Sequence, residues 1–202
     1  MVNFNYICFK VLGPFKSWKN KYLKAVANKS AAKNNLYNKT ASEISQYTGE
    51  TIEIVKQKHR MGPEKEKNCG IFNTQDELSH SLVEDFYKEC NYYLYELPLW
   101  NAERNRQGYL YMIFSGYLKR NKYKKVMDFG AGTGDLCIEL AQNKLLVTYC
   151  DIGEKLFAFA RWRFLERNLS VRMINGLDNV KEYDYDCIFS FDTFEHIKGL
   201  PL

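Results

Sequence analysis

Residues 126–135 read VMDFGAGTGD, and this stretch decides the fold. The segment Lys125–Phe129 is largely apolar and predicts a buried strand, and the glycines after it predict a sharp turn into a helix. Gly130 and Gly132 let backbone N–H groups approach a ligand closely. The helix from about Gly134 would direct its positive dipole end at the same place. The stretch therefore predicts a binding site at the carboxyl end of a strand.

Apolar strands alternate with helical segments through the rest of the C-terminal half. After a helix that ends near Asn143, we predict a strand at 145–150, a helix at 154–168, a strand at 171–174 and a strand at 187–191. This alternation is typical of βαβ units, and it predicts an α/β fold with a mostly parallel sheet.

The chain before this α/β part differs in charge. Residues 1–60 contain eleven Lys or Arg and three Glu, a net charge of +8 in a chain whose total is +5. A lysine-rich segment of this kind attracts nucleic acid or an anionic membrane surface, unless it is a solvated arm. We divide the chain into a basic segment (1–38), a helical region (39–121) and a Rossmann-like domain (122–202). The polar stretch 28–39 predicts a linker, which begins in the basic segment and ends at the first residue of the helical region.

The helical region begins with a predicted hairpin over Thr40–Arg60, turning at Thr48-Gly49. Four apolar residues of the two helices would face each other: Ile44, Tyr47, Ile52 and Val55. The pattern resembles a helix-turn-helix DNA reader. However, Glu50 and Glu53 lie where phosphates would approach, so a packed hairpin is favoured.

Further helices are predicted after a break at Gly62-Pro63. Thr74 and Glu77 form a capping box for a helix that would run to Leu97 and end at Pro98. Another helix would span about 102–120.

Composition excludes several classes of protein. No apolar run approaches the ~18 residues of a membrane-spanning helix. The six cysteines lack C-x-x-C spacing, so they predict neither a metal site nor a disulfide framework. A cytoplasmic location is the expectation.

Acidic residues follow the later strands. Asp151 ends the second strand, where a carboxylate can accept both hydroxyls of a ribose. Asp178 follows the third strand and could contact an adenine ring. The fourth strand leads into residues 191–197, which read FDTFEHI.

These elements together resemble class I S-adenosylmethionine-dependent methyltransferases. The stretch 128–134 resembles their first motif, and Asp151 resembles their ribose-binding acid. Residues 185–192, followed by Phe194-Glu195-His196, are similar to the fourth-strand motif of small-molecule methyltransferases, including those of quinone biosynthesis. The resemblance covers about residues 125–200.

The resemblance implies S-adenosylmethionine as cofactor and a role for each motif residue. Gly130 and Gly132 would cradle the methionine part, Asp128 would position its amino group, and Asp192 would lie under the sulfonium. The implied cofactor-binding set is Asp128, Gly130, Ala131, Gly132, Gly134, Asp151, Ile152, Asp178 and Asp192. Glu195 or His196 would be the base if the acceptor must lose a proton; alternatively, Glu195 caps a helix and His196 packs against the sheet.

The expected strand order is 3-2-1-4, an incomplete Rossmann-like sheet whose apolar fourth strand lies at an open edge. We therefore expect a fragment of a longer protein that binds the cofactor weakly or not at all and is inactive alone. The favoured acceptor is a small molecule. Two alternatives stay open: a nicotinamide-dependent oxidoreductase, which the spacing G-x-G-x-G disfavours, and a non-catalytic nucleic-acid-binding module. The sequence does not determine the oligomeric state.

Overall fold

The computed structural model describes residues 30–68, 91–106, 110–176 and 185–193. Its helices are α1 (Ser30–Thr48), α2 (Ile52–Asn68), α3 (Tyr93–Glu103), α4 (Met112–Arg120), α5 (Asp135–Gln142) and α6 (Glu154–Glu166). Its strands are β1 (Lys125–Phe129), β2 (Leu146–Asp151), β3 (Val171–Asn175) and β4 (Cys187–Phe189).

The four strands form one parallel sheet in the order β3-β2-β1-β4, which confirms the predicted order. Asp128 of β1 is opposite Tyr149 of β2 on one side and Phe189 of β4 on the other. The carboxyl ends of these three strands therefore meet at one edge of the sheet. β4 ends at Phe189, two residues before the predicted end.

The sheet is covered because its strands are apolar on both faces. One face packs with α4, α5 and α6 in a cluster that includes Leu118, Val126, Leu140, Val147 and Phe164. On the other face, the strand residues Met127, Cys150 and Ile174 form a smaller buried cluster of their own.

The predicted helical hairpin is present as α1 and α2. Ile44 and Val55 are fully buried in a cluster with Leu99 of α3 and Phe159 of α6, and Tyr47 and Ile52 pack against it. The hairpin is thus packed on the α/β part through the side chains that its periodicity predicted.

Three breaks that the sequence predicted in the N-terminal half of the chain are wrong. The stretch 28–39 is not a linker, because α1 begins at Ser30 and runs through helix-favouring alanine and lysine. α2 continues past Gly62-Pro63, because Gly62 is buried against the ring of Tyr92, in space that a side chain would need. Pro98 lies inside α3, held by the burial of Leu94 and Leu99 on either side of it.

The predicted helix over 102–120 is instead two elements, since Ala102 belongs to α3 and α4 begins at Met112. The capping box at Thr74 and Glu77 lies outside the described residues. Within the described ranges, no helix is long and apolar enough to cross a lipid bilayer.

Candidate functional site

The loop between β1 and α5 has the conformation that its glycines predicted. Gly130, Gly132 and Gly134 have φ of +72°, +55° and +75°, which an L side chain rarely adopts. The N–H groups of Gly130 and Ala131 donate to the carbonyl of Cys150 at 2.9 and 3.1 Å. Two amides of the loop are therefore already bonded to the end of β2.

Asp151 is joined directly to this loop. Its carboxylate accepts N–H groups from Gly132 at 2.7 Å and from Gly153 at 2.8 Å. Burial raises the pKa of Asp151, although the amides of Gly153, Gly132 and Ile152 oppose that shift. A carboxylate has about four lone-pair positions, so Asp151 keeps acceptor capacity, and its side chain is half-buried.

Asp128 lies under the loop near the end of β1 and is 4% exposed. The Cys137 thiol donates to its carboxylate with an Sγ–Oδ2 distance of 3.4 Å. Burial raises the pKa of Asp128 to about 7, and the nearby carboxylates of Asp151 and Asp135 add to the shift. At neutral pH this group can therefore gain or lose a proton when a charged ligand arrives.

The start of α5 is held by a buried guanidinium that the sequence analysis missed. Arg163 of α6 donates to the Thr133 carbonyl at 2.7 Å and to the Asp135 carboxylate at 2.9 Å. Burial alone would raise the pKa of Asp135, but the charge of Arg163 holds it below its ordinary value. Asp135, which is in the first turn of α5, thus places a negative charge at the positive end of that helix.

A pattern in the sequence could have revealed Arg163. The buried residues of α6 recur at helical spacing: Leu156, Phe159, Ala160, Arg163 and Phe164. An arginine on such a face must find anionic partners in the interior. Glu43 of α1 supplies another, with its carboxylate 3.1 Å from Arg163 and in contact with Arg167 as well.

Side chains from both halves lie over the glycine loop. A Cβ on Gly130 would meet Thr193 Oγ1 at 2.3 Å, and one on Gly132 would meet Leu97 Cδ1 at 3.2 Å. The hydroxyl of Ser190, next to β4, is buried and makes no hydrogen bond within the part of the chain that the structure describes. The glycine loop is therefore covered by α3 and by the segment after β4.

Asp192 lies in the segment after β4. Its Oδ2 forms an ion pair with Arg106 Nη1 at 2.6 Å. Arg106 and Arg104 both lie over the ring of Trp100, with their guanidinium carbons 4.9 and 4.7 Å from its centroid. The sequence predicted Asp192 as a site residue but not its cationic partner.

The structure thus brings the first, second and fourth predicted elements to one sheet edge. Gly134 is the residue before α5, and its Cα lies against the ring of Phe164. Ala131 and Ile152 contribute backbone groups beside the neighbouring glycines. Asp178, Glu195 and His196 lie outside the described residues.

Metal binding and the surface groove concern ligands other than the cofactor. Among residues 30–68, 91–106, 110–176 and 185–193, no cluster of three His, Cys, Asp or Glu could hold a metal ion. A groove of about 380 Å³ lies between α6 and β3, lined by Phe157, Arg161, Phe164, Leu165, Leu169, Val171 and Met173.

The C-terminal segment is similar to known proteins. Residues 126–200 match the family model described as "Methyltransferase domain". A curated protein of Geobacillus sp. (strain WCH70), named "Putative methyltransferase", is 29% identical over 76 residues, which are 36% of this chain and 30% of that protein. The chain therefore spans less than a third of this relative's length.

Solved structures with a similar sheet include two methyltransferases. The magnesium protoporphyrin IX methyltransferase of Synechocystis PCC 6803, with bound S-adenosylmethionine, is 21% identical at a TM-score of 0.46, covering 61% of this chain and 66% of that one. The tRNA (uracil-54, C5)-methyltransferase of Pyrococcus abyssi, with S-adenosyl-L-homocysteine, is 24% identical at a TM-score of 0.30, covering 32% and 17%. Their names give different acceptors.

Proposed function

We propose that this chain, whose residues 126–200 match a methyltransferase domain, binds S-adenosylmethionine at the carboxyl edge of β1, β2 and β4. It would serve methyl transfer to a small molecule. The observation that carries the proposal is the hydrogen bond from the Gly132 amide to the Asp151 carboxylate. It joins the two elements that a nucleoside-binding site needs, a close-approach loop and a ribose acceptor.

Asp151 fits the ribose of such a cofactor. The amides of Gly132 and Gly153 hold its carboxylate in place, and its remaining acceptor capacity is available to the ribose hydroxyls. Because the amides define the orientation before any ligand arrives, little side-chain entropy would be lost on binding.

Asp128 and Asp192 fit the charged part of the cofactor. Near neutral pH the buried carboxyl of Asp128 can release its proton to face an ammonium group. The side chain of Asp192 is 57% exposed at the same edge and offers a second negative charge.

When bound, the cofactor supplies a methyl group that its positive sulfur already activates. The chain's own contribution would be position and exclusion of water. Leu97 and Thr193 lie directly over the glycine loop and are placed to exclude water from it.

The small-molecule acceptor is inferred from the segment after β4. It lacks the Asn/Asp-Pro-Pro-aromatic motif associated with the exocyclic amino groups of bases. We assign Glu195 and His196 as candidate bases, Asp178 as an adenine contact, and the cytoplasm as the location. The last assignment agrees with the cysteines within the described residues, Cys137, Cys150 and Cys187, which are buried free thiols.

Ligand titration followed by NMR tests the proposal, because it detects binding even at millimolar dissociation constants. S-adenosylhomocysteine is expected to shift the amide signals of Gly132 and Gly153, and NADH is not. D151N should weaken the binding at least about tenfold, since a ribose acceptor is lost. E166Q is the matched control, because it neutralises an exposed acid at the last residue of α6.

Two results would overturn the proposal. One is a Gly132 amide shifted by NADH but not by S-adenosylhomocysteine, which would indicate a nicotinamide site. The other is an absence of shifts with either nucleoside. Salt-dependent binding of RNA or DNA would then indicate a nucleic-acid module built on the basic segment.

A further inference from the structure

The ion pair between Arg106 and Asp192 connects the helical region to the end of β4 across the candidate site. Arg106 lies three residues after α3, and its Nη1 is 2.6 Å from Asp192 Oδ2. The side chain of Arg106 is 17% exposed, whereas that of Asp192 is 57% exposed. The arginine is therefore the anchored partner and the aspartate is the accessible one.

The backbone at Asp192 is held in a conformation that few residues adopt. Its φ is +55°, in the left-handed region where aspartate is among the better tolerated residues. The next residue, Thr193, packs on Gly130, with its Oγ1 3.4 Å from the Gly130 carbonyl oxygen. The packing of Thr193 on the glycine loop therefore holds the backbone of Asp192 in this conformation, one residue from the loop.

Arg106 is fixed from the other side by an aromatic ring. Its guanidinium carbon is 4.9 Å from the centroid of Trp100, in α3. One turn earlier in the same helix, Leu97 contacts Gly132. The guanidinium of Arg106 is therefore held next to the candidate site by α3 and is largely shielded from solvent.

The methyl donor and its product differ by one charge. S-adenosylmethionine carries a positive sulfonium, and S-adenosylhomocysteine carries a neutral thioether. Among the acids at the described sheet edge, Asp151 already takes two amides and Asp128 is buried beneath the loop. Asp192 is the accessible carboxylate, and a cation of the chain already faces it.

We propose that Arg106 determines how the site discriminates between the two forms of the cofactor: by neutralising Asp192 it lowers the preference for the cationic donor over the neutral product. The inference rests on the proposed function, and it concerns a residue that neither the motif pattern nor the family match assigns. Arg106 is a specificity-determining residue in this account and not a catalytic one.

The test is the ratio of the dissociation constant for S-adenosylhomocysteine to that for S-adenosylmethionine, measured on the full chain by the same NMR titration. In R106Q the Asp192 charge is released, and the ratio should rise about tenfold. R106K keeps the charge and should change the ratio less than about twofold. A merely destabilised protein would lose affinity for both ligands alike, so the ratio separates this effect from misfolding.

Two matched variants sharpen the test. R104Q removes the other guanidinium from the same Trp100 ring; no carboxylate partner of Arg104 is found in the described part of the chain, so the ratio should not move. In a D192N background, R106Q should raise the ratio much less, because only the direct repulsion between Arg106 and the sulfonium remains. The increase seen in R106Q should also shrink as salt is added, because the charges are partly exposed.

The outcomes distinguish the two proposals. If the unaltered chain binds both ligands and R106Q leaves the ratio unchanged, or raises it equally in the D192N background, the role of Arg106 is refuted and the proposed function stands. If the unaltered chain binds neither ligand, both proposals fall.

Discussion

The guanidinium of Arg163 lies 2.9 Å from the carboxylate of Asp135, and both side chains are almost entirely buried, 2% and 3% exposed. The same guanidinium holds the Thr133 carbonyl, and Asn101 of α3 donates to Asp135 at 3.2 Å. The start of α5, the loop before it and the helical region therefore share one buried charge cluster. In such a cluster the removal of one partner costs more than the pair contributes, because the remaining charges lose their compensation.

Replacing Arg163 by methionine should destabilise the fold by about 3–5 kcal/mol, since the buried carboxylates of Asp135 and Glu43 would both lose its positive charge. Urea unfolding measures the change. R161M is the matched control two residues away, on the exposed side of α6, and should change the stability by less than about 0.5 kcal/mol. Equal stability of the two variants would show that the cluster is energetically unimportant.

Replacing Gly130 by alanine should cost about 3 kcal/mol or more, because a left-handed backbone and a collision with Thr193 act together. G176A provides the comparison: Gly176 has φ of +76° but no atom within 4 Å of the added Cβ, so about 1 kcal/mol is expected. Only G130A should abolish the shifts caused by S-adenosylhomocysteine. If both variants bind alike, Gly130 has no role in the site.

Asp128 should make the stability fall as the pH rises. Its pKa is about 7 in the folded chain and about 3.9 unfolded, so its favourable contribution is complete below pH 4 and is lost as the pH approaches and passes 7. The loss is on the order of 4 kcal/mol. D128N should therefore gain stability over the unaltered chain between pH 4 and pH 8. E166Q should show no such trend, and a flat difference for D128N would contradict the raised pKa.

Asp186 should make the stability fall as the pH is lowered, which is opposite to the effect of Asp128. Its carboxylate accepts the N–H groups of Lys124 and Lys125 at 2.6 and 2.8 Å, and these bonds lower its pKa. A lowered folded pKa stabilises the fold above the unfolded value, and the benefit is lost as the pH falls through the folded value. D186N should cost about 1 kcal/mol at pH 7 and almost nothing in strong acid. Denaturant titrations at several pH values test this, and a loss that persists unchanged in acid would contradict it.

The N-terminal half shows where local patterns fail. The sequence predicted the hairpin because Ile44 and Val55 lie at helical spacing. It placed breaks at Gly62-Pro63 and Pro98 because those residues end most isolated helices. Tyr92 against Gly62, and the burial of Leu99 beyond Pro98, outweigh these preferences, and neither contact is visible in a short window of sequence.

The site shows the same division at the level of single residues. By itself the sequence determined the parallel sheet, the glycine loop and the acid at the end of β2. Each follows from residues that are close along the chain: the sheet from the apolar pattern, the loop from glycines that tolerate positive φ, and the acid from the length of the strand before it. Only the tertiary structure decided that the loop amides face β2, that Arg163 supports the loop, and that Arg106 faces Asp192. Those partners are 19 to 86 residues apart along the chain, and only packing can choose among partners so distant.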